Sequence, residues 1–190
     1  MRVILVDDTA RDVGLLKEAL TAVGCEVAAQ ARSAFELHEL VLKLKPDVVI
    51  VDAESPSRDV LEQLCAVTRA TPRPIVLFTA DRSAQTIEAA IRAGVSAYVV
   101  DGIDPARIDS ILRVAIARFE ADQALRRALA EAQARLDERK VVERAKGLIM
   151  KARGVDEEEA YRLLRKMAMD RKMRLADVAR DVIDIMKRLG

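Results

Sequence analysis

Short continuous apolar runs alternate with helix-spaced apolar stripes through the first 117 residues. Residues 2–6 (RVILV), 48–51 (VVIV), 75–78 (IVLF) and 97–100 (AYVV) have strand length and β-branched or aromatic character. Residues 26–31 form a weaker fifth run. Between these runs Leu15, Leu16, Ala19, Leu20 and Val23, and later Leu37, Leu40, Val41 and Leu44, recur at helical spacing. Strands that are apolar throughout, rather than alternating, are buried on both faces, as in a parallel sheet covered by helices. Five such units predict an α/β domain with a doubly wound, five-stranded parallel sheet. Its functional site is expected at the carboxyl ends of the strands. Gly24, Pro46, Pro74 and Gly94 punctuate the helix-to-strand joints.

After Pro105 the period changes to helix alone. Asp104 can cap a helix with Pro105 at its first position. No proline and a single glycine, Gly147, interrupt the next five decades of sequence up to Arg153. One long helix is predicted, starting as the last helix of the sheet domain and running beyond it. Within it Leu125, Leu129, Ala132 and Leu136 have the 4-3-4 spacing of a short coiled-coil seam; a dimer contact is expected, the alternative being a solvated linker helix. Val142, Ala145, Ile149 and Ala152 then form a stripe ending at Gly154. Asp156 caps a second helix, with Glu159 completing a capping box, and Ala160, Leu163, Leu164, Met167 and Ala168 make its stripe. Leu175, Val178, Ala179, Val182, Ile183 and Met186 make a third. These predict a three-helix bundle. The expected boundaries are 1–118 for the sheet domain, 119–135 for a helical linker and 136–190 for the bundle.

Composition narrows the function. The chain has 190 residues, 51% of them hydrophobic, which suits one domain of ordinary size plus a smaller module. No stretch approaches the roughly 18–20 apolar residues of a membrane span, and the N-terminus lacks the pattern of a signal peptide. Two cysteines, Cys25 and Cys65, suggest neither a disulfide framework nor a CxxC metal site, so a cytoplasmic setting is expected. One histidine, His38, argues against His-based metal chemistry and a Ser/His/Asp triad, and is read as a surface residue. The net charge of +1 conceals an asymmetry. Residues 1–117 carry 13 basic and 17 acidic residues, whereas 141–190 carry 13 basic and 9 acidic. An acidic front and a basic tail suggest regulation in the first and polyanion binding in the second.

The chemistry of the front half is carboxylate chemistry. Asp7 and Asp8 end the first run and Asp52 ends the third, so a parallel sheet brings them to one edge. Like charges that converge call for a cation or a proton between them. Oxygen-only donors select a hard ion such as Mg²⁺. Thr79 ends the fourth run and Tyr98 lies on the fifth. A hard metal beside a strand-end aspartate suits phosphoryl transfer to that aspartate.

LVDD at 5–8, VIVD at 49–52 with Pro56 four residues on, FTA at 78–80 and GVSAYVV at 94–100 resemble the response-regulator receiver domain, a flavodoxin-like fold. The resemblance implies two-component, phosphorelay signalling. It implies Asp7 and Asp8 as the acidic metal pair, Asp52 as phosphoacceptor, the Glu54 backbone carbonyl as a metal ligand, Thr79 as the phosphoryl-sensing hydroxyl and Tyr98 as the switch aromatic. One position departs from the family. Receivers carry a lysine three residues after the switch aromatic, followed by proline; here Asp101 and Gly102 stand there. At an effective dielectric near 20, two like charges about 4 Å apart repel by roughly 4 kcal/mol, so an acid in that place opposes a second anion. A receiver used as a docking surface, with little phosphotransfer, is therefore expected.

The tail holds its cations away from its last helix. Arg144, Lys146 and Lys151 lie on the first helix, and Arg162, Arg165, Lys166, Arg171, Lys172 and Arg174 on the second and its exit. Asp177, Asp181 and Asp184 lie on the third, with Arg180 among them. A helix-turn-helix module would present its last helix to the DNA major groove, and acids there oppose docking. RNA loops are read instead by stacking and by hydrogen bonds to splayed bases. Tyr161 either stacks on a base or edges the core. Gly147 costs about 1 kcal/mol relative to alanine inside a helix, which a close approach of RNA backbone or of a packed helix would explain. Met150, Met167, Met169, Met173 and Met186 are expected as core filler.

ERAKGLIMK at 143–151 and EEAYRLLRKMAMDRKMRLADVA at 158–179 resemble the ANTAR domain, the output module of AmiR- and NasR-type antitermination regulators. The resemblance implies binding to paired hairpins in leader RNA, which lets transcription read through a terminator. The RNA-binding set is then Arg144, Lys146, Gly147, Lys151, Tyr161, Arg165, Lys166, Arg171, Lys172 and Arg174. SAYVVDGI at 96–103 resembles the NasT-like regulators of nitrate and nitrite assimilation. That subgroup implies control by a NasS-like ligand-sensor protein. The expected protein is thus not an enzyme but an RNA-binding transcription antitermination regulator, gated through its receiver by a partner. The alternatives are a regulator switched by phosphorylation at Asp52 and a DNA-binding transcription factor.

Overall fold

The computed structural model describes residues 1–7, 14–31, 34–100 and 104–189. These divide into two units, Met1–Gln123 and Ala124–Gly190. Among the described residues no helix is long and apolar enough to cross a membrane.

In the first unit β1 (Arg2–Asp7), β2 (Glu26–Ala31), β3 (Val48–Asp52), β4 (Ile75–Thr79) and β5 (Ala97–Val100) form one sheet in the order β2-β1-β3-β4-β5. Every neighbouring pair is parallel. Helices α1 (Gly14–Ala22), α2 (Ala34–Leu44), α3 (Arg58–Ala70) and α4 (Ala84–Arg92) connect them. Strand order reverses between β1 and β3, so the connections leaving these two strands diverge. That opens the crevice in which doubly wound sheets hold their ligands. Each of β1, β3 and β4 also runs one residue further than its apolar stretch, to Asp7, Asp52 and Thr79.

Both faces of the sheet are covered, which is why its strands read as unbroken apolar runs. Ile4, Val6, Val49, Val51 and Leu77 pack on one side with Leu37 and Val41 of α2 and Leu64 of α3. Val3, Leu5, Ile50 and Phe78 pack on the other with Leu16 and Leu20 of α1. There they also meet Ile108, Leu112 and Ala115, which open a long helix. That helix, α5 (Ile108–Arg153), follows a single 3-10 turn at Pro105–Arg107. The expected aspartate cap is present, but it closes the turn: Asp104 Oδ1 accepts from Ala106 N at 3.0 Å.

The second unit contains the end of α5 with α6 (Glu157–Arg171) and α7 (Leu175–Leu189). Its core is Ala145 and Ile149, Ala160, Leu164 and Ala168, and Val178, Ala179, Val182 and Ile183. These belong to the three predicted stripes. Asp156 caps α6 by accepting from Glu159 N at 2.8 Å. The capping box is only half formed, because the Glu159 carboxylate pairs with Arg162 Nη2 at 2.7 Å instead. Two methionines depart from the expected core role: Met169 and Met173 are exposed, whereas Met150, Met167 and Met186 pack against the core. His38 is exposed, as expected. Leu125, Leu129 and Leu136 are 69, 68 and 53% exposed on α5, so their seam is unpartnered among the described residues.

Gly94 joins α4 to β5 at φ +95°, a conformation that favours glycine, and a Cβ there would sit 2.6 Å from Thr68 Cγ2. Gly94→Ala should therefore cost about 2 kcal/mol in urea unfolding, and adding Thr68→Ser, which removes that methyl, should return part of it.

Candidate functional site

The parallel register of β1 with β3 places Asp7 opposite Asp52. Two carboxylates thus meet at the carboxyl edge on either side of the switch point. Asp8 and Asp101 lie outside the described residues. Among the described residues no group of three or more metal-binding side chains is assembled. Asp7 and Asp52 are oxygen donors of the kind a hard cation takes. The Glu54 carbonyl, the other expected ligand among the described residues, already accepts from Thr79 Oγ1 at 2.9 Å and from Ala80 N at 3.1 Å. In this conformation the Thr79 hydroxyl and the Glu54 carbonyl are therefore engaged with each other.

A hydrogen-bond network extends from Thr79. Asp81 N donates to Thr79 Oγ1 at 3.1 Å, and Tyr98 Oη donates to the Asp81 carbonyl at 2.8 Å. The Asp81 carboxylate accepts from Ser83 N at 2.7 Å, Thr86 Oγ1 at 2.9 Å and Ser55 Oγ at 3.1 Å. These donors hold its carboxyl below the ordinary range, the Ser83 N–H most of all and the Thr86 hydroxyl next. Partial burial, followed by the Asp81 charge, pushes the Tyr98 phenol upward. One aspartate thus links the loop after Asp52, the start of α4 and the aromatic of β5. Sequence reasoning missed Asp81. The available signal was Asp81-Arg82-Ser83, because an aspartate that accepts from the backbone two residues on is a common turn device.

In the second unit, ion pairing separates the cations into two groups. Lys146 is buried, its side chain 8% exposed, with its ammonium 2.8 Å from Glu143 and 2.7 Å from Glu157. Those hydrogen bonds, Glu143 first, raise the Lys146 pKa, and the Lys146 bond holds the Glu157 carboxyl below its ordinary value. Arg171 pairs with Asp181 at 3.4 Å, and Arg174 with Asp177 at 3.0 Å and Glu138 at 3.7 Å. Arg144, Lys151, Arg165, Lys166 and Lys172 are exposed and have no ion pair among the described residues. Arg153, in the last turn of α5, joins this second group. Sequence reasoning passed over it.

Helical spacing arranges this group. Arg144, Gly147 and Lys151 fall at i, i+3 and i+7, and Tyr161, Arg165 and Met169 at i, i+4 and i+8, so each trio shares one face of its helix. Gly147 is exposed, and nothing lies within 4 Å of where its Cβ would be. Among the described residues no packed helix explains it, contrary to one of the two expectations. Tyr161 is 41% exposed and borders a shallow recess with Lys146, Glu157 and Glu158. The acids of α7 are all paired: Arg180 bonds Asp177 at 2.6 Å, Lys187 lies 3.9 Å from Asp184, and Asp181 is met by Arg171 of α6.

Comparison with known proteins defines the class. The response regulator receiver domain model matches residues 3–113, and the ANTAR domain model matches 130–183. The chain belongs to the response regulators that join a receiver domain to an ANTAR domain, a regulatory family. The transcriptional regulatory protein PdtaR of Mycobacterium tuberculosis is 33% identical over 96% of this chain and 89% of its own length. The nitrate regulatory protein of Klebsiella oxytoca is 42% identical over 57 residues, 30% of this chain and 14% of that protein. The response regulator domain of Thermotoga maritima CheB has a TM-score of 0.53 at 25% identity, covering 62% of this chain and 96% of that one.

The Lys146–Glu157 pair predicts an acid-side instability. A carboxyl whose folded pKa is depressed contributes stability above its unfolded value, near 4.3, and that stability is lost as pH falls through the folded pKa. Thermal unfolding of the full chain between pH 6 and pH 3, values spanning that range, should show a steeper fall for wild type than for Glu157→Gln.

Proposed function

We propose that this protein is a cytoplasmic transcription antitermination regulator. Its C-terminal bundle grips paired hairpins in leader RNA, and its receiver grants or withholds that grip. The observation that carries this reading is the position of the cations left free by ion pairing. They lie on the end of α5, on α6 and at its exit, whereas the acids of α7 are engaged by Arg180 and Lys187 of the same helix and by Arg171 and Arg174 before it. A surface of that kind suits phosphate contact by two helices and does not suit major-groove reading by the third. The bare backbone at Gly147, between Arg144 and Lys151 on one face, admits close approach of a phosphodiester. Tyr161 and Met169 flank Arg165 with apolar surface on which an unstacked base can rest. Lys146, Arg171 and Arg174 act differently from the free cations: their intramolecular pairs hold α6 and α7 in place, and any RNA contact by them competes with those carboxylates.

The division 1–118, 119–135 and 136–190 is retained. The exposed Leu125, Leu129 and Leu136 seam pairs two copies, which places two RNA-binding bundles on one dimer and raises the effective concentration of the second. For the receiver, we favour control by a docked ligand-sensor protein of the nitrate-assimilation type. SAYVVDGI and the similarity to a nitrate regulatory protein support it. Phosphorylation of Asp52 is the second reading, favoured by the register of Asp7 with Asp52. Asp7 and Asp52 would hold Mg²⁺, joined by Glu54 O once Thr79 releases it. The cation would neutralise charge on a phosphoryl group passing to Asp52.

Six phosphate contacts should make the affinity for a leader hairpin fall with a log–log salt slope near −5, and each of Lys151→Ala and Arg165→Ala should flatten it by about 1. Arg180→Ala should leave the slope unchanged. A flat slope in wild type removes the RNA reading. Incubation with a small-molecule phosphodonor and Mg²⁺, followed by intact mass, should show no stoichiometric adduct. An adduct that disappears in Asp52→Asn makes phosphorylation the input.

A further inference from the structure

Three arginines line one groove of an otherwise acidic domain. Between α3 and α4 the floor is Leu61, Cys65 and Ala89, and Arg58, Arg69 and Arg92 stand along it with one carboxylate, Glu62, among them. The charge of these guanidiniums opposes the acidic excess of residues 1–117. Arg58 pairs with Glu62 at 2.7 Å and Arg92 with Glu88 at 3.6 Å, all with well-exposed side chains. Such i,i+4 pairs are weak, and their carboxylates can be exchanged for those of another molecule. Arg69 has no ion pair among the described residues. Arg69 and Arg92 each lie in the last turn of their helix, so two planar forks face the same end of the groove. Helix-end charge accounts for one basic residue at each terminus. It does not account for the apolar floor between them or for Arg58 at the opposite end of α3.

The groove also touches the switch network. Thr86 lines it, and the Thr86 hydroxyl donates to Asp81 at 2.9 Å. Asp81 in turn holds Ser55 and Tyr98. An occupant that displaced Thr86 would loosen the loop after Asp52 and the β5 aromatic together, without any phosphoryl group.

We propose that the α3–α4 groove is a docking site for an acidic amphipathic segment of a partner protein. An apolar side chain rests on Leu61, Cys65 and Ala89, and a carboxylate is clamped between Arg69 and Arg92, whose forks suit carboxylate geometry. The proposal rests on the docking reading of the receiver and gives that docking an address.

Cys65 supplies the test in the full-length chain. Two probes, Leu-Glu and Leu-Lys dipeptides bearing a 2-mercaptoethylamide, are offered as mixed disulfides with cysteamine. The Cys65 thiolate exchanges with each and releases cysteamine, while added 2-mercaptoethanol competes. Intact mass should show Leu-Glu retained to about fivefold more 2-mercaptoethanol than Leu-Lys, near the upper end of what exposed ion pairs contribute. The preference should vanish in Arg69→Glu/Arg92→Glu, two exposed sites, and capture should vanish in Cys65→Ser. Equal retention of both probes, a preference for Leu-Lys, or an acid preference that survives the arginine reversals overturns the proposal. So does protection of Cys65 that grows with protein concentration alone, which assigns the groove to a second copy. The phosphodonor experiment separates the two levels. A phosphorylated Asp52 with the acid preference intact retires the docking reading of the input, whereas charge-blind capture at Cys65 with Asp52 unmodified retires the groove alone.

Discussion

Backbone pairing of β1 with β3 is the constraint on which the regulatory half depends. It places Asp7 against Asp52 at the carboxyl edge, where their mutual repulsion must be met by a cation, a proton or hydrogen-bond donors. The same pairing fixes the point at which strand order reverses. It also fixes the neighbouring β4, which ends at Thr79 and leads into the loop with Asp81, and β5, within which Tyr98 lies. A slip of one residue would turn the strand side chains among these to the opposite face, so the apolar core that holds the register also holds the site.

In the helical half the deciding interaction is intramolecular ion pairing. Thirteen basic residues lie in 141–190, but acids on the same and neighbouring helices engage several of them. Lys146 is drawn inward by Glu143 and Glu157 and becomes part of the scaffold. Arg174 joins α7 to Glu138 of α5 through its Asp177 and Glu138 contacts. What remains for a polyanion is a subset on α5, α6 and the α6 exit. The bundle thereby shows where its surface is available without any net change in charge.

Much of this was legible from residue order. Unbroken β-branched runs marked the buried strands because burial on both faces leaves no position for a polar side chain. The three tail stripes were legible because each helix turns one apolar side inward. The strand-end aspartates stood out because such positions interrupt apolar runs abruptly. Other features were not legible. Met169 and Met173 follow the composition of a core but are exposed, since the helical phase of Met169 places it beyond the stripe and Met173 lies in the connection between α6 and α7. Glu159 has the spacing of a capping box, yet Arg162 one turn on offers a charged partner that the backbone N–H of Asp156 does not match. Asp81 was missed because its partners come from three separate segments, Ser55, Ser83 with Thr86, and Tyr98.

The order of amino acids alone determined the class of sheet, the three-helix tail, the placement of carboxylates at strand ends and the surplus of cations behind. These depend on periodicity and local propensity, which act over a few residues. The tertiary structure alone decided which cations are free, which carbonyl the Thr79 hydroxyl takes, and that Arg58, Arg69 and Arg92 share one groove. Those outcomes depend on distances between side chains far apart in the chain, and electrostatic and hydrogen-bond energies change steeply over a few ångströms.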